Sequence, residues 1–492
     1  MYHTENDPEE RIRMRPQISN SVIRDNVRDN RLIPVNDHLF KIINSREFQR
    51  LRSIKQMGLG SFAFPTADHS RFSHSIGVYG TAFETFRNLR AKAEPLSISF
   101  PAMQFDDDAE KDFVVSAMCH DVGHTAFSHV LENVLLPNGM KHHEECTLAL
   151  LDDASTEIYQ TINRYADIEA VRLFIKRSHP NQALGQLVSG PYDVDRSDYL
   201  IRDSLNAGVH YGTFDVQWLQ HALAVDLNKI GQPILLLDGP RGLDALSQFL
   251  SARRYMYRHV YFHPTVRAAQ LLLKSIFDRL ATHPADQSLV DLAPDGLKPI
   301  LKKSDVSIGN FLETTDVEVT YLIRTIAKYA KDDVLKYLAE RFVKREFPKC
   351  ILDSTKNHKG LKDSYGVETE AESGDIQMSL SKEFMPRRLD DIIEQCAKEI
   401  ASKLKQDGKN EDIAPYIINS DPLQFKADAS AEFIFSYQGR NVALDDIDDE
   451  DVVFNLPNLL RSFRVHRIFA AYDYKDHMKH FVSNILKNQG LR

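Results

Sequence analysis

Cysteine is scarce in this 492-residue chain. Cys119, Cys146, Cys350 and Cys396 are widely spaced and form no CxxC pair. That argues against a disulfide framework and against a cysteine-built zinc ribbon. Long apolar runs are missing too: none reaches the roughly 18 residues that a membrane-spanning helix needs. The opening stretch MYHTENDPEERIRMRPQ is polar and charged, without the pattern of a secretory signal. No internal repeat is present. Basic residues are in deficit, 61 Lys and Arg against 70 Asp and Glu, for a net charge of −9. This disfavours a broad nucleic-acid-binding face but permits a local basic pocket for phosphates. A cytoplasmic location is the expectation these absences leave. Otherwise the composition, 42% hydrophobic and 27% charged, is that of an ordinary globular chain, long enough for two or three domain-sized units.

Histidine is what the chain concentrates. Seven of its 19 histidines (His69, His74, His120, His124, His129, His142 and His143) lie between residues 69 and 143, far more than an even spread would place there. At the centre stands His120-Asp121-Val122-Gly123-His124-Thr125-Ala126-Phe127-Ser128-His129-Val130-Leu131-Glu132, behind the apolar run Phe113–Cys119. Mixed imidazole and carboxylate donors suit Mn, Fe, Zn or Mg better than a thiolate-seeking metal. Capping and core-rim histidines are the bland alternative.

The pattern predicts a helix or helix pair from Asp37 to Gly58, and another from about Phe72 to Ala93 with Arg71 and His74 near its start. A helix start favours a bound phosphate. The acidic run Asp106–Asp108 reads as the start of a helix over 112–120. Gly123 is expected to break it, turning His120 and Asp121 toward one ion. His129 and Glu132 are spaced i, i+3 on the following helix and can touch, as a general acid or base with its orienting partner would. Surface pairs with Lys141 or Glu145 fit the spacing equally well. Lys141–Glu145 opens a further helix through Leu151.

The stretch Asp193–Asp203 sets Asp195, Asp198 or Tyr199, Arg202 and Asp203 on adjacent turns, as a site face or as a salt-bridged surface. Segments 224–227 and 233–237 form a hairpin around Gly231. A long helix over 241–281 carries Arg253, Arg254, Tyr255, Tyr257, Arg258, His259, Tyr261 and His263, suited to stacking on a base, clamping phosphates or lining an oligomer interface. Beyond 285, segments 316–345 and 388–405 read as helices, and 431–437 and 465–470 as strands. Segment 472–486 reads as a closing helix, 353–378 as a polar loop, and 445–451 as an acidic turn. No chemical motif is visible there.

Together His74, His120-Asp121 and Asp195 resemble the H…HD…D signature of the HD phosphohydrolase superfamily. The strings FQRLRSIKQMG (48–58), ADHSRFSHSIGVYG (67–80), CHDVGHTAFSHVLE (119–132), KHHE (141–144) and VDRSDYLIRDSLNAGVHYG (194–212) resemble, in order, the deoxynucleoside triphosphate triphosphohydrolases. That family includes bacterial dGTPases and the animal enzyme that joins a sterile-alpha-motif domain to an HD domain, for which the leader here is too short. The likeness covers roughly 22–285. It implies a mainly α fold: a leader over 1–20, a helical HD domain over 21–285, and a smaller mixed α/β lobe over 286–492 serving assembly or regulation.

The resemblance also implies a divalent ion (Mn, Mg, Fe, Zn or Ni) held by His74, His120, Asp121 and Asp195. His124, His129, Glu132 and His143 would surround the α-phosphate, with His129 paired to Glu132 as the proton donor. Arg71, Arg196 and Arg253 would hold the triphosphate, Gln56 and Asp203 the 3′-hydroxyl, and Tyr199 and Tyr261 the deoxyribose. A tetramer or hexamer and a nucleotide effector are implied as partners. Thr66 and Pro191-Tyr192 depart from the usual pattern next to ligands. Asn44 and Pro264 depart at effector positions, which puts activation by dGTP in doubt. Other readings are a phosphohydrolase of nucleoside monophosphates, cyclic dinucleotides or alarmones, a non-catalytic nucleotide sensor, and a single-strand nuclease. HDVGH in place of HDxxED and the lack of a GYP element argue against two of these.

Overall fold

The computed structural model describes residues 21–27, 31–97, 105–136, 140, 142–283, 287–353, 384–429, 432–437, 440–447 and 456–488. The leader 1–20 and the polar loop beyond Asp353 lie outside them. Helices dominate, with three small sheets beside them. No helix among the described residues is long and apolar enough to cross a membrane.

The centre is α1 (Arg71–Ser97), on which α2 (Asp107–Cys119) and α4 (Val194–Ala207) both pack, while α3 (His143–Asp152) lies against the loop that follows α2. The acidic run does start α2. Asp106 accepts the Ala109 N–H at 2.9 Å, and Asp107, Asp108 and Glu110 fill the first turn, where the helix dipole favours negative charge. Its last seven residues, Phe113–Cys119, are all buried. Asp193 caps α4 through the Arg196 N–H at 2.7 Å, and Gly208 ends it at φ 70°. Gly77 lets α1 meet α4: a Cβ there would collide with Arg202 and Asp198.

Of the two forms expected over 37–58 the helix pair is found, whereas the segments expected as single helices over 241–281 and 316–345 are each divided. The 37–58 segment forms Asp37–Ile43 and Arg46–Arg50 followed by a 3-10 turn, because Asn44 and Ser45 end the first helix and start the second. The 241–281 segment is α5 (Gly239–Met256), a π-helical turn over Tyr257–Tyr261, and α6 (Pro264–Thr282). Pro264 has no N–H and bars helical geometry at His263, so it serves instead at the first position of α6.

Strands β1 (Ser21–Arg24) and β2 (Leu32–Val35) pair in front of α1. The expected hairpin, β3 (Leu223–Leu227) and β4 (Pro233–Asp238), runs antiparallel in register Leu223↔Leu237. Three further helices are α7 (Asp316–Tyr329), α8 (Asp333–Val343) and α9 (Phe384–Gln406). In the third sheet β9 (Phe463–Ala470) lies between β5 (Lys349–Asp353) and β6 (Ile418–Phe425). α10 (Lys475–Asn488) closes the described chain, and a 3-10 turn over Leu444–Asp446 stands at the expected acidic turn.

Packing crosses residue 285 in both directions. β7 (Ile434–Tyr437), continued by β8 (Arg440–Ala443), adds in parallel to β4, and Phe433 and Phe435 are fully buried in the core built on α1 and α2. The second core joins α6 to α7–α10 and takes in Ala126, Phe127 and Leu131, while Val122 belongs to the first. The histidine-rich loop therefore straddles the seam between two cores.

Candidate active site

Three helices and one loop bring the ligand candidates together. His74 comes from the first turn of α1, His120 and Asp121 from the turn that follows α2, and Asp195 from the first turn of α4. Gly123 serves here by close approach, since a Cβ would run into the backbone of His143 and Thr147 on α3. Its expected part as helix breaker is not needed: α2 ends at Cys119, before it.

The orientation of these groups fits a divalent cation. His74 is fully buried, and its Nδ1 is tied to Asp198 Oδ2 at 2.9 Å. Its Nε2 has no aligned hydrogen-bond partner and stands 3.0 Å from Asp195 Oδ1 and 3.9 Å from Asp121 Oδ2. His120 is arranged likewise: Nδ1 lies 2.8 Å from the Ala117 carbonyl, and Nε2 stands 3.3 Å from Asp121 Oδ1 and 3.6 Å from Asp195 Oδ1. One ring nitrogen held by an outer partner while the other faces carboxylates is the arrangement of metal-binding histidines. Ligand atoms of His74, His120 and Asp121 lie within 4.8 Å of one another. The site also favours positive charge. Burial opposes protonation of His74, but bonds and charge from Asp195 and Asp198 outweigh it and raise its pKa to about 9. Burial is likewise outweighed at His120, where Asp121 and Asp195 raise it to about 10.

Beside this quartet, Glu132 Oε1 takes two histidines, His129 Nδ1 at 3.0 Å and His143 Nδ1 at 2.6 Å. The expected pair forms, but not on one helix. Ser128–Val130 is a 3-10 turn and Glu132 starts a separate short helix. Burial would raise the Glu132 pKa, yet the two imidazoles hold it well below the usual carboxylate range. His124 stacks on His143 with ring centroids 4.0 Å apart. Burial and then the Arg71 charge keep His124 well below its ordinary value, so it stays neutral. His129 is the exposed member, with 63% of its side chain accessible.

A cavity of about 760 Å³ runs past both groups. Its wall includes Gln56, Arg71, Asp195, Arg196, Tyr199, Asp203 and Tyr261. His74, Glu132 and Arg253 stand behind that wall, each against a residue that forms it or bonds to it. Tyr199 and Tyr261 meet edge to face at 6.2 Å. Asp203 does not pair with Arg202 or Arg254. Its Oδ1 contacts His69 Nε2 at 2.7 Å and its Oδ2 accepts from the Tyr261 hydroxyl at 2.8 Å. Gln56 Oε1 is buried without a hydrogen-bond partner among the described residues. Arg71 bonds Asp121 and, at 2.9 Å, Ser128 Oγ, while Arg196 and Arg253 both bond Asp428.

Sequence reasoning left four groups without a role. His69 belongs to the visible histidine cluster but carries no motif. Asp198, which orients His74, is also held by Arg202 Nε at 2.8 Å and is masked in the sequence by its salt-bridge spacing. Asp316 accepts the backbone N–H of Phe127, which lines the cavity, at 2.7 Å and that of Lys55 at 3.0 Å. It and Asp428 lie far along the chain, where no local pattern points to them.

No family model matches the chain. It is 30% identical over 320 residues to the uncharacterized protein YwfO of Bacillus subtilis, covering 64% of this chain and 69% of that one. It is 27% identical over 350 residues to the deoxynucleoside triphosphate triphosphohydrolase SAMHD1 homolog of Dictyostelium discoideum, covering 68% of this chain and 63% of that protein's length. In fold it is similar to a solved phosphohydrolase from Bacteroides thetaiotaomicron, with a TM-score of 0.69 at 23% identity over 92% of this chain and 99% of that one. With the H…HD…D residues gathered as described, the chain belongs to the HD-domain phosphohydrolase family.

Proposed function

We propose that the chain is a metal-dependent phosphohydrolase that hydrolyses deoxynucleoside triphosphates to deoxynucleoside and inorganic tripolyphosphate. The observation that carries this reading is one cavity flanked by both a two-histidine, two-aspartate set and a Glu132-tethered histidine pair. A divalent ion (Mn, Mg, Fe, Zn or Ni) held by His74, His120, Asp121 and Asp195 would polarise the α-phosphoryl group and acidify a water. The attacking water oxygen bonds to the α-phosphorus and releases a proton to solvent, the P–O5′ bond breaks, and the leaving oxygen takes a proton.

His129 is the donor of that proton. Its Nδ1 rests on Glu132, its ring is the accessible one, and the carboxylate keeps it oriented. His143 and neutral His124 line the α-phosphate, adding hydrogen bonds without two further buried charges. Arg71, Arg196 and Arg253 balance the polyphosphate. Tyr199 and Tyr261 form the wall against the deoxyribose. The hydrogen bond that the Tyr261 hydroxyl donates to Asp203 holds that ring beside C2′, and Gln56 and Asp203 take the 3′-hydroxyl. The resemblance to a relative named as a dNTP triphosphohydrolase supports the substrate class. Exposed Tyr211 and Tyr255 flank His259 on an aromatic patch consistent with homo-oligomer formation.

The test is incubation of metal-loaded protein with each dNTP and the matching NTP, with products separated by chromatography. Tripolyphosphate plus deoxynucleoside is expected from dNTPs. Orthophosphate or a monophosphate would assign a different HD phosphohydrolase reaction.

A further inference from the structure

Arg196 and Arg253, the cations assigned above to the polyphosphate, already share an anion. Asp428 Oδ1 accepts from Arg196 Nη1 at 2.9 Å, and Oδ2 accepts from Arg253 Nη1 at 2.7 Å. The Asp428 side chain is 10% exposed and that of Arg253 is 9%, so the bridge is largely shielded from solvent. One carboxylate spanning two guanidinium groups offers the same acceptors as a phosphoryl group there.

The segment after β6 delivers this carboxylate, and it is pinned on both sides. Phe425 is 1% exposed, with the Tyr257 ring at 5.1 Å and the Arg253 guanidinium at 4.9 Å. The Lys426 carbonyl accepts from Arg253 Nη2 at 3.0 Å, and the Ala427 N–H donates to Ser462 Oγ at 3.0 Å. Arg196 also has Asp193 Oδ2 3.5 Å from its Nε, so the two arginines would keep partial support if Asp428 withdrew.

We propose that Asp428 is an internal occupant of the polyphosphate subsite and sets the chain length that the site accepts. A ligand binds fully only when its phosphoryl groups reach both arginines and displace the carboxylate. A monophosphate leaves Asp428 in place and is repelled by it. For a ligand that must displace Asp428, the occupied state reduces the apparent affinity by the fraction of molecules in which the subsite is open. This inference rests on the triphosphate reading of the same arginines.

The experiment titrates the full chain calorimetrically with inorganic tripolyphosphate, pyrophosphate and orthophosphate, and measures KM for a dNTP and its dNDP. Asp428→Asn should bind tripolyphosphate and pyrophosphate at least about tenfold more tightly than wild type. It should also lower KM for the dNTP and narrow the dNTP/dNDP gap, whereas Asp428→Glu keeps wild-type values. Ser462→Ala, an exposed change that removes one tether, should tighten both polyphosphates by about threefold. A folded Asp428→Asn that loses thermal stability without binding polyphosphate more tightly would make the contact purely structural and overturn the proposal. If that variant does not fold, unchanged polyphosphate affinity in Ser462→Ala overturns it. Tighter polyphosphate binding in a protein that hydrolyses no dNTP upholds the Asp428 inference and sinks the triphosphohydrolase reading instead.

Discussion

Asp198→Asn isolates how the ion site is held. Asp198 is fully buried; Oδ2 contacts His74 Nδ1 at 2.9 Å and Arg202 Nε at 2.8 Å, and Oδ1 accepts from Arg202 Nη2 at 3.0 Å. An asparagine keeps the shape but offers one acceptor oxygen and turns an N–H₂ group toward a donor. Breaking a buried ion pair costs about 3–5 kcal/mol. Arg202 keeps Asp25 at 2.9 and 3.2 Å, which places the loss at the lower end, about 3 kcal/mol. For a chain of this size that is a fall of about 6 °C or somewhat less in Tm. His74 also loses the partner that aims its Nε2, and such outer-partner changes weaken metal binding by about 10- to 100-fold. Melting curves with and without excess Mn²⁺, alongside titration of the apoprotein with Mn²⁺, read both effects. Wild-type metal affinity in a variant that has lost stability would refute the positioning role. Wild-type values of both would refute the network.

Three other outcomes follow from named contacts. His120→Ala should abolish metal retention after dialysis and nearly all hydrolysis, with circular dichroism unchanged; full metal content by elemental analysis would contradict the ligand set. Tyr261→Ala should raise kcat/KM for NTPs relative to dNTPs by about 10- to 200-fold, the range for one small group in an apolar pocket; an unchanged deoxy/ribo ratio would remove the wall. Burial raises the Asp316 pKa to about 6 against the Phe127 and Lys55 N–H bonds that lower it. A carboxyl raised on folding stabilises fully below its unfolded pKa and loses that contribution as pH rises through the folded value. The Tm of wild type relative to Asp316→Asn should therefore fall between pH 4 and 6, and a flat difference over that window would refute the buried-carboxyl account.

Much of the site is local, and so it is legible in one dimension. His120-Asp121, the Glu132 partner of His129, and the cap and face of α4 depend on spacings of a few residues, which backbone geometry converts into proximity. The acidic start and apolar run of α2 and the β3–β4 hairpin follow from capping, burial and turn chemistry in the same way. Folding in three dimensions decided the rest. The π turn and Pro264 break divide what reads as one helix, because periodicity continues across a residue that cannot donate its N–H. Glu132 takes His143 as well as His129 only because α3 packs on Gly123. Asp316 and Asp428 hold the cavity-lining Phe127 and Arg196 from segments that show no motif, since long-range ion pairs and backbone hydrogen bonds leave no periodic trace in the chain.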